Sequence, residues 1–252
     1  MLWCAQATVQ HIYDLFHHKV DSNWLYWSHR LRKYKAAMNR KLRRLTAEGN
    51  IPNRYRDCFA SMDGKRFEIC RPHIQQQSAY NTYYGYHNLG VQAVTAPDGM
   101  ILEASGPYAG SNNDLNMLQY SNTLTNIAQH LPDEQPYNLI ADKIYNIHIN
   151  GLVSLRQFPT ELQEIEERAA IRIRIPVEWG FGKVVSLFPF LDFEKNLKIY
   201  EREVGVYIIV GVLMTNIHTT LYGSVCSNYF SDGSLSPIAP PSLRSYMNID
   251  IL

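Results

Sequence analysis

The chain has 252 residues, enough for one large domain or one domain with an appendage. Its 46% hydrophobic and 19% charged residues are ordinary for a globular protein and exclude a disordered or collagen-like chain. A formal net charge of +1 hides a split, with eleven Lys/Arg against four Asp/Glu in residues 1–60 and thirteen against nineteen in residues 61–252, and such asymmetry points to an anionic partner.

In chain order, Val9, Ile12, Tyr13 and Phe16 recur at helical spacing over Ala7 to Phe16. Trp24 to Leu45 reads as a second helix. Its apolar stripe of Leu31, Tyr34, Met38 and Leu42 is set among Arg30, Arg32, Lys33, Lys35, Arg40, Lys41, Arg43 and Arg44. A charge run of this kind is ordinarily a solvated face; next to nucleic acid the same residues would contact phosphate. Gly49 to Asn53 breaks the helix. Cys58 to Met62 reads as a strand turning at Asp63-Gly64, with Arg66 to Cys70 as its partner. Tyr86 to Thr95 and Met100 to Ala104 form a hairpin about Pro97-Asp98-Gly99. A polar loop, Gly106 to Asn113, leads to a helix opening at Asp114. Tyr137 to Ala141 is a short apolar strand ending at Asp142. Glu161 to Ala170 reads as an acidic helix, and Pro176 as the first turn of another that carries Glu178. Val204 to Tyr222 is apolar, but Thr215, Asn216 and His218 argue for a core helix over a membrane span. Ser234 to Pro241 opens a Ser/Pro-rich tail. The order suggests an α/β fold, a mixed sheet flanked by helices. Its expected divisions are a basic helical segment over 1–54, a mixed-sheet domain over 55–228 and a tail over 229–252.

Cys4, Cys58, Cys70 and Cys226 show no paired spacing, so neither a zinc cluster nor a disulfide framework is expected. Reduced thiols inside a cell are the default. The start of the chain lacks the pattern of a signal peptide. No Walker loop, HExxH or GxSxG motif is present. The chemistry-bearing residues are acidic: Asp63 after an apolar strand, Asp142 at the end of another, Asp114 at a helix start and Glu178 near another. Singly, such residues are usually turns, caps or partners of a helix dipole. Together, carboxylates gathered at strand ends suit hard divalent cations and phosphodiester cleavage, with two ions roughly 4 Å apart.

The segments SMDGKRFEICRP (61–72), YNTYYGYHNLGVQAVTAPDGMILEASGPYAGSNNDLNML (80–118), NLIADKIY (138–145) and VEWGFGK (177–183) resemble transposases of the PIF/Harbinger superfamily over about residues 55–225. The resemblance implies a DDE-type, RNase H-like nuclease. Asp63 matches its first catalytic aspartate, Asp142 the aspartate of its Gly-Asp-x-x-Tyr motif, and Glu178 the glutamate of its Val-Glu-x-x-Phe-Gly helix. Asp114 falls at an acidic position often counted among the metal ligands. Whether Asp114 or Asp142 completes the triad stays open, with strand-end placement favouring Asp142. Departures are Lys65 where the family has Thr, Asn113 where it has His, and Ala141 where it has Gly. Implied in turn are Mg²⁺ or Mn²⁺ held by Asp63, Asp114, Asp142 and Glu178, DNA as substrate, strand transfer after cleavage and a nuclear location. The 1–54 segment is short for the helix-turn-helix region of such proteins, so a separate DNA-binding partner protein, or a homo-oligomer, fits the pattern. Lys65, Lys143, Arg172 and Arg174 are placed to contact phosphate, although exposed lysines are usually only solvated. Trp179 and Phe181 read as core. The alternative is an inactive, domesticated DNA- or protein-binding module.

Overall fold

The computed structural model describes residues 2–21, 23–46, 49–130, 136–146, 148–149, 151–231 and 238–248. The helices are α1 (Leu2–Phe16), α2 (His18–Asp21), α3 (Trp24–Trp27) and α4 (Leu31–Leu45), then α5 (Gln76–Ala79), α6 (Asp114–Tyr120) and α7 (Thr123–His130). They continue with α8 (Glu161–Leu187), α9 (Val204–Tyr222), α10 (Val225–Phe230) and α11 (Leu243–Met247). The strands are β1 (Cys58–Glu68), β2 (Tyr80–Asn81), β3 (Tyr86–Thr95), β4 (Ile101–Ala109), β5 (Asn138–Ala141), β6 (His148–Ile149) and β7 (Leu152–Ser154). They form one mixed sheet in the order β2-β3-β1-β5-β7-β6, with β4 also paired to β3. β1, β3 and β4 are antiparallel neighbours, whereas β1, β5 and β7 run parallel. This is the RNase H-like arrangement, helices on both faces of a mixed sheet, that the order of elements suggests.

β1 runs unbroken through Asp63-Gly64, pairing Asp63 with Ala93 and Gly64 with Gln92. The turn expected there is absent, because Asp-Gly is only permissive for a turn and β3 offers a continuous ladder. Gly64 serves a different end: a Cβ there would lie 2.7 Å from Asp114 Oδ1 and 2.8 Å from Met117 Cε. α8 likewise replaces the two helices expected, with Pro176 in its interior. Proline removes the bond to the carbonyl four residues back, and here the Tyr229 hydroxyl donates to that Arg172 carbonyl at 3.2 Å. Ser61 Oγ donates to the next carbonyl, Ile173 O, at 3.3 Å. Outside partners thus let the helix continue through proline.

One face of β1 and β3 packs Phe59, Met62 and Val94 against Trp24, Trp27, Leu31, Tyr34 and Leu118. The other packs Phe67, Val91 and Ala93 against Val177, Phe181, Val184, Ile208 and Val212 of α8 and α9. α9 has the length and hydropathy of a membrane span, yet Ile208, Val212, Leu213 and Asn216 are buried, and Asn216 bonds both the N–H and the carbonyl of Ile101. It is a core helix.

The 1–54 segment, set apart by charge, joins this core. Trp24, Trp27, Leu31 and Tyr34 are fully buried. Tyr34 donates to Asp98 at 2.8 Å and Arg30 pairs with the same carboxylate at 3.1 Å, which fixes the β3–β4 turn. Of the 229–252 tail, Ser234 to Pro237 lie outside the described residues. α11 brings Tyr246 against Trp27 with ring centroids 5.9 Å apart.

Candidate active site

The parallel register places Ser61 of β1 beside Ile140 of β5. Continued two residues along both strands, that register brings Asp63 and Asp142 to neighbouring positions on one face, since side chains alternate with period two. That face looks toward α8. Arg174 Nη1 donates to Asp63 Oδ2 at 2.6 Å, and Arg174 Nη2 to Glu178 Oε1 at 2.7 Å. One guanidinium therefore joins two carboxylates that stand 115 positions apart in sequence. Asp142 lies within electrostatic range of the same Arg174 and accepts the Lys143 N–H at 2.6 Å at the start of a short 3-10 turn.

Burial pushes the Asp63 carboxyl above the ordinary carboxylate range, while Arg174 and the Gly64 N–H at 2.9 Å pull it back. Burial also works against the Arg174 charge, but Asp63, Glu178 and Asp142 outweigh it and hold that guanidinium above its ordinary value. Glu178 is half exposed, whereas Arg174 is 11% exposed. Beneath the site Tyr145, buried at the end of the Asp142 turn, accepts from Gln92 Nε2 at 2.8 Å. Burial drives its phenol well above the usual range, with Asp114 and Asp63 adding to the shift. Tyr145 thus anchors the segment that carries Asp142.

Asp114 stands apart from this group. The alternation that turns Asp63 to α8 turns the Gly64 position to α6, where Asp114 pairs with Arg66 at 2.8 Å. Asn113 caps α6 by accepting the Asn116 N–H at 2.8 Å, which sets Asp114 in the first turn. Its charge reaches Asp63 only as a minor influence. Among the described residues no three Asp, Glu, His or Cys side chains are grouped closely enough to ligate one ion. The structure gathers Asp63 and Glu178 around Arg174, sets Asp142 beside them and holds Asp114 on the other side of β1.

Trp179 corrects its sequence reading: it is 37% exposed, packed edge-on against Tyr229, while Phe181 is core as expected. Glu178 and Trp179 rim a cleft of about 780 Å³ between α8 and the α9–α10 junction, reaching Gly99, Lys183 and Asn228. Arg174, read from sequence as a phosphate contact, is the counter-ion of the carboxylates. The sequence signal for this is its spacing, since a cation four residues before Glu178 on a helix shares its face. Arg66 gave no comparable signal, because its partner lies on another element.

A family described as DDE superfamily endonuclease matches residues 62–216. No curated protein and no solved structure matches the chain.

Proposed function

We propose that this chain, which belongs to the DDE superfamily endonucleases, cleaves DNA phosphodiester bonds in the manner of a transposase, with Asp63, Asp142 and Glu178 as its catalytic carboxylates. The observation that carries the proposal is the convergence of Asp63 and Glu178, from β1 and α8, on a single positive charge. Enzymes of this family generally use divalent metals, and the donors present suit a hard cation: they are all carboxylate oxygens. The ion pairs of Asp63 and Glu178 with the one guanidinium of Arg174 support a shared cation site. Asp63, Asp142 and Glu178 would hold Mg²⁺ or Mn²⁺, while Asp114, paired with Arg66 on the other side of β1, would lie outside that set. When bound, such ions supply an activated water and charge stabilisation at the leaving oxygen, the two-metal division of labour.

The chain's own residues carry the rest. The Gly64 N–H orients the Asp63 carboxylate, the Lys143 N–H orients Asp142, and Tyr145 anchors the turn that follows Asp142. Arg174 balances one of the three carboxylate charges before substrate arrives, which lessens their mutual repulsion. The second reading, a binding module without cleavage, draws on one observation: the guanidinium sits where the carboxylates would take a metal.

Nicking of supercoiled plasmid in Mg²⁺ or Mn²⁺ separates the two. Wild type should cut, and Asp63→Asn and Glu178→Gln should lose at least a hundredfold in rate. A wild type that binds plasmid without cutting it supports the module. Variants that cut as fast as wild type overturn the catalytic assignment.

A further inference from the structure

α4 has two flanks of different character. Its buried stripe is Leu31, Tyr34, Met38 and Leu42. On one side of that stripe Lys35 pairs with Asp57 at 2.6 Å, and Asn39 donates to Arg56 O at 2.9 Å. On the other, helical spacing aligns Lys33, Arg40, Lys41 and Arg44. Lys41 runs from this flank onto α10: its ammonium lies 3.5 Å from the centre of the Tyr229 ring and donates to Tyr229 O at 3.1 Å. Tyr229 in turn meets Trp179 edge-to-face at 5.2 Å and bonds the Arg172 carbonyl. Two contacts therefore connect the basic helix to the residue next to Glu178.

Lys33, Arg40, Lys41, Arg44 and Arg172, which mark this path, are all cations. Among the described residues neither Lys41 nor Arg172 has a carboxylate partner. Burial, with Arg44 and Arg172 close by, lowers the Lys41 pKa. The acidic first turns of α8 are by contrast matched: Arg156 pairs with Glu166 and Glu167, and Arg168 with Glu164. Like charges held together in one row, ending at the candidate active site, are complementary to a polyanion. From Lys33 to Arg44 the row rises about 16 Å along the helix, or about five base pairs of duplex.

We propose that the backbone of duplex DNA lies along the Lys33–Arg40–Lys41–Arg44 flank of α4, passes Arg172 and the Tyr229–Trp179 pair, and reaches the carboxylates at Glu178. This track rests on the nuclease reading above and adds to it the face on which the substrate approaches. It assigns Tyr229 a positioning role, holding Lys41 and the Pro176 region of α8 in one frame. The contacts are to phosphate, so the track carries affinity without sequence preference.

The test compares two double variants with the same change of charge. Lys33→Glu with Arg172→Glu alters the track; Arg32→Glu with Arg43→Glu alters exposed cations of α4 outside it. Binding of a fluorescent thirty-base-pair duplex is followed by anisotropy against salt, in Ca²⁺ to suppress cleavage, with thermal unfolding as a check on the fold. The track pair should bind at least tenfold more weakly than the control pair, and its salt slope should fall by about 2, since each phosphate contact contributes about 0.9. Should the charge reversals disturb folding, Lys33→Gln with Arg172→Gln should preserve the ranking. Equal loss in both pairs, or a greater loss in the control, overturns the track while leaving the nuclease reading intact. A wild type that binds no duplex at low salt overturns both.

Discussion

Replacing Arg174 with alanine tests the centre of the site without removing any carboxylate. In the metal-free protein the variant leaves Asp63 with its backbone bond from Gly64 and no counter-ion. The Asp63–Arg174 pair is 2.6 Å long, with side chains 23% and 11% exposed. Breaking a fully buried pair costs about 3–5 kcal/mol, and an exposed one about 0–1 kcal/mol. The intermediate burial here gives about 2 kcal/mol, and the half-exposed Glu178 arm adds only a few tenths. For a chain of this size that is a fall in Tm of about 4–8 °C in EDTA. Mn²⁺ should reverse it, because the variant has no guanidinium to displace before a cation enters. At a hundredfold excess over its Kd the ion contributes about 2.7 kcal/mol. Mn²⁺ affinity itself, measured by electron paramagnetic resonance or calorimetry, should rise about tenfold over wild type. If Arg174→Ala is as stable as wild type in EDTA, or if Mn²⁺ stabilises both proteins equally, Arg174 is not the counter-ion of a metal site.

Three other outcomes follow from features away from that centre. Glu103 is buried and accepts from Trp24 Nε1 and Thr123 Oγ1, and burial raises its pKa to about 7. A carboxyl that binds its proton more tightly when folded stabilises fully below its unfolded pKa, and that contribution fades as pH rises through 7. Wild type should therefore lose Tm between pH 5 and pH 8. Glu103→Gln, which keeps an acceptor for Trp24 and gains a donor for Thr123, should lose less; an identical pH dependence would rule the carboxyl out. Gly64→Ala would press its methyl on Asp114 and Met117, so nicking should fall at least tenfold, beyond any change expected from a Tm within a few degrees of wild type. Trp24→Ala empties a fully buried site at about 3–5 kcal/mol, and circular dichroism should show Tm reduced by at least 6 °C. A surface appendage would show no such loss.

The β3–β4 hairpin, the Asp142 strand and the α9 core helix were legible because local periodicity and turn chemistry agree with the tertiary context in those segments. Asp63 and Glu178 were legible through the resemblance, and their convergence is a property of the fold. Two misreadings share one origin. Asp63-Gly64 carries turn chemistry and Pro176 helix-start chemistry, yet each sits inside a continuous element. In both places distant residues override the local preference: β3 supplies the ladder, and Tyr229 supplies the donor that Pro176 lacks. Trp179 was misplaced because its apolar neighbours on α8 are core while its own indole turns toward Tyr229. The charge boundary near residue 60 concealed that Trp24 to Tyr34 belongs to the same core as Phe59 and Leu102. Charge pattern describes the surface of a segment and carries no information about its buried stripe.

The meeting of α3 and α11 bears on how this molecule comes together in time. Tyr26 and Ser245 share a hydrogen bond of 3.0 Å across 219 positions, and the Trp27 and Tyr246 rings meet at a tilt beside it. Contacts so distant along the chain form late, since loop closure must be met before they return any stabilisation. Tyr246 covers part of the Trp27 indole. Tyr246 and Met247, in the stretch of chain that reads as a tail, are thus part of the core beside the basic helix.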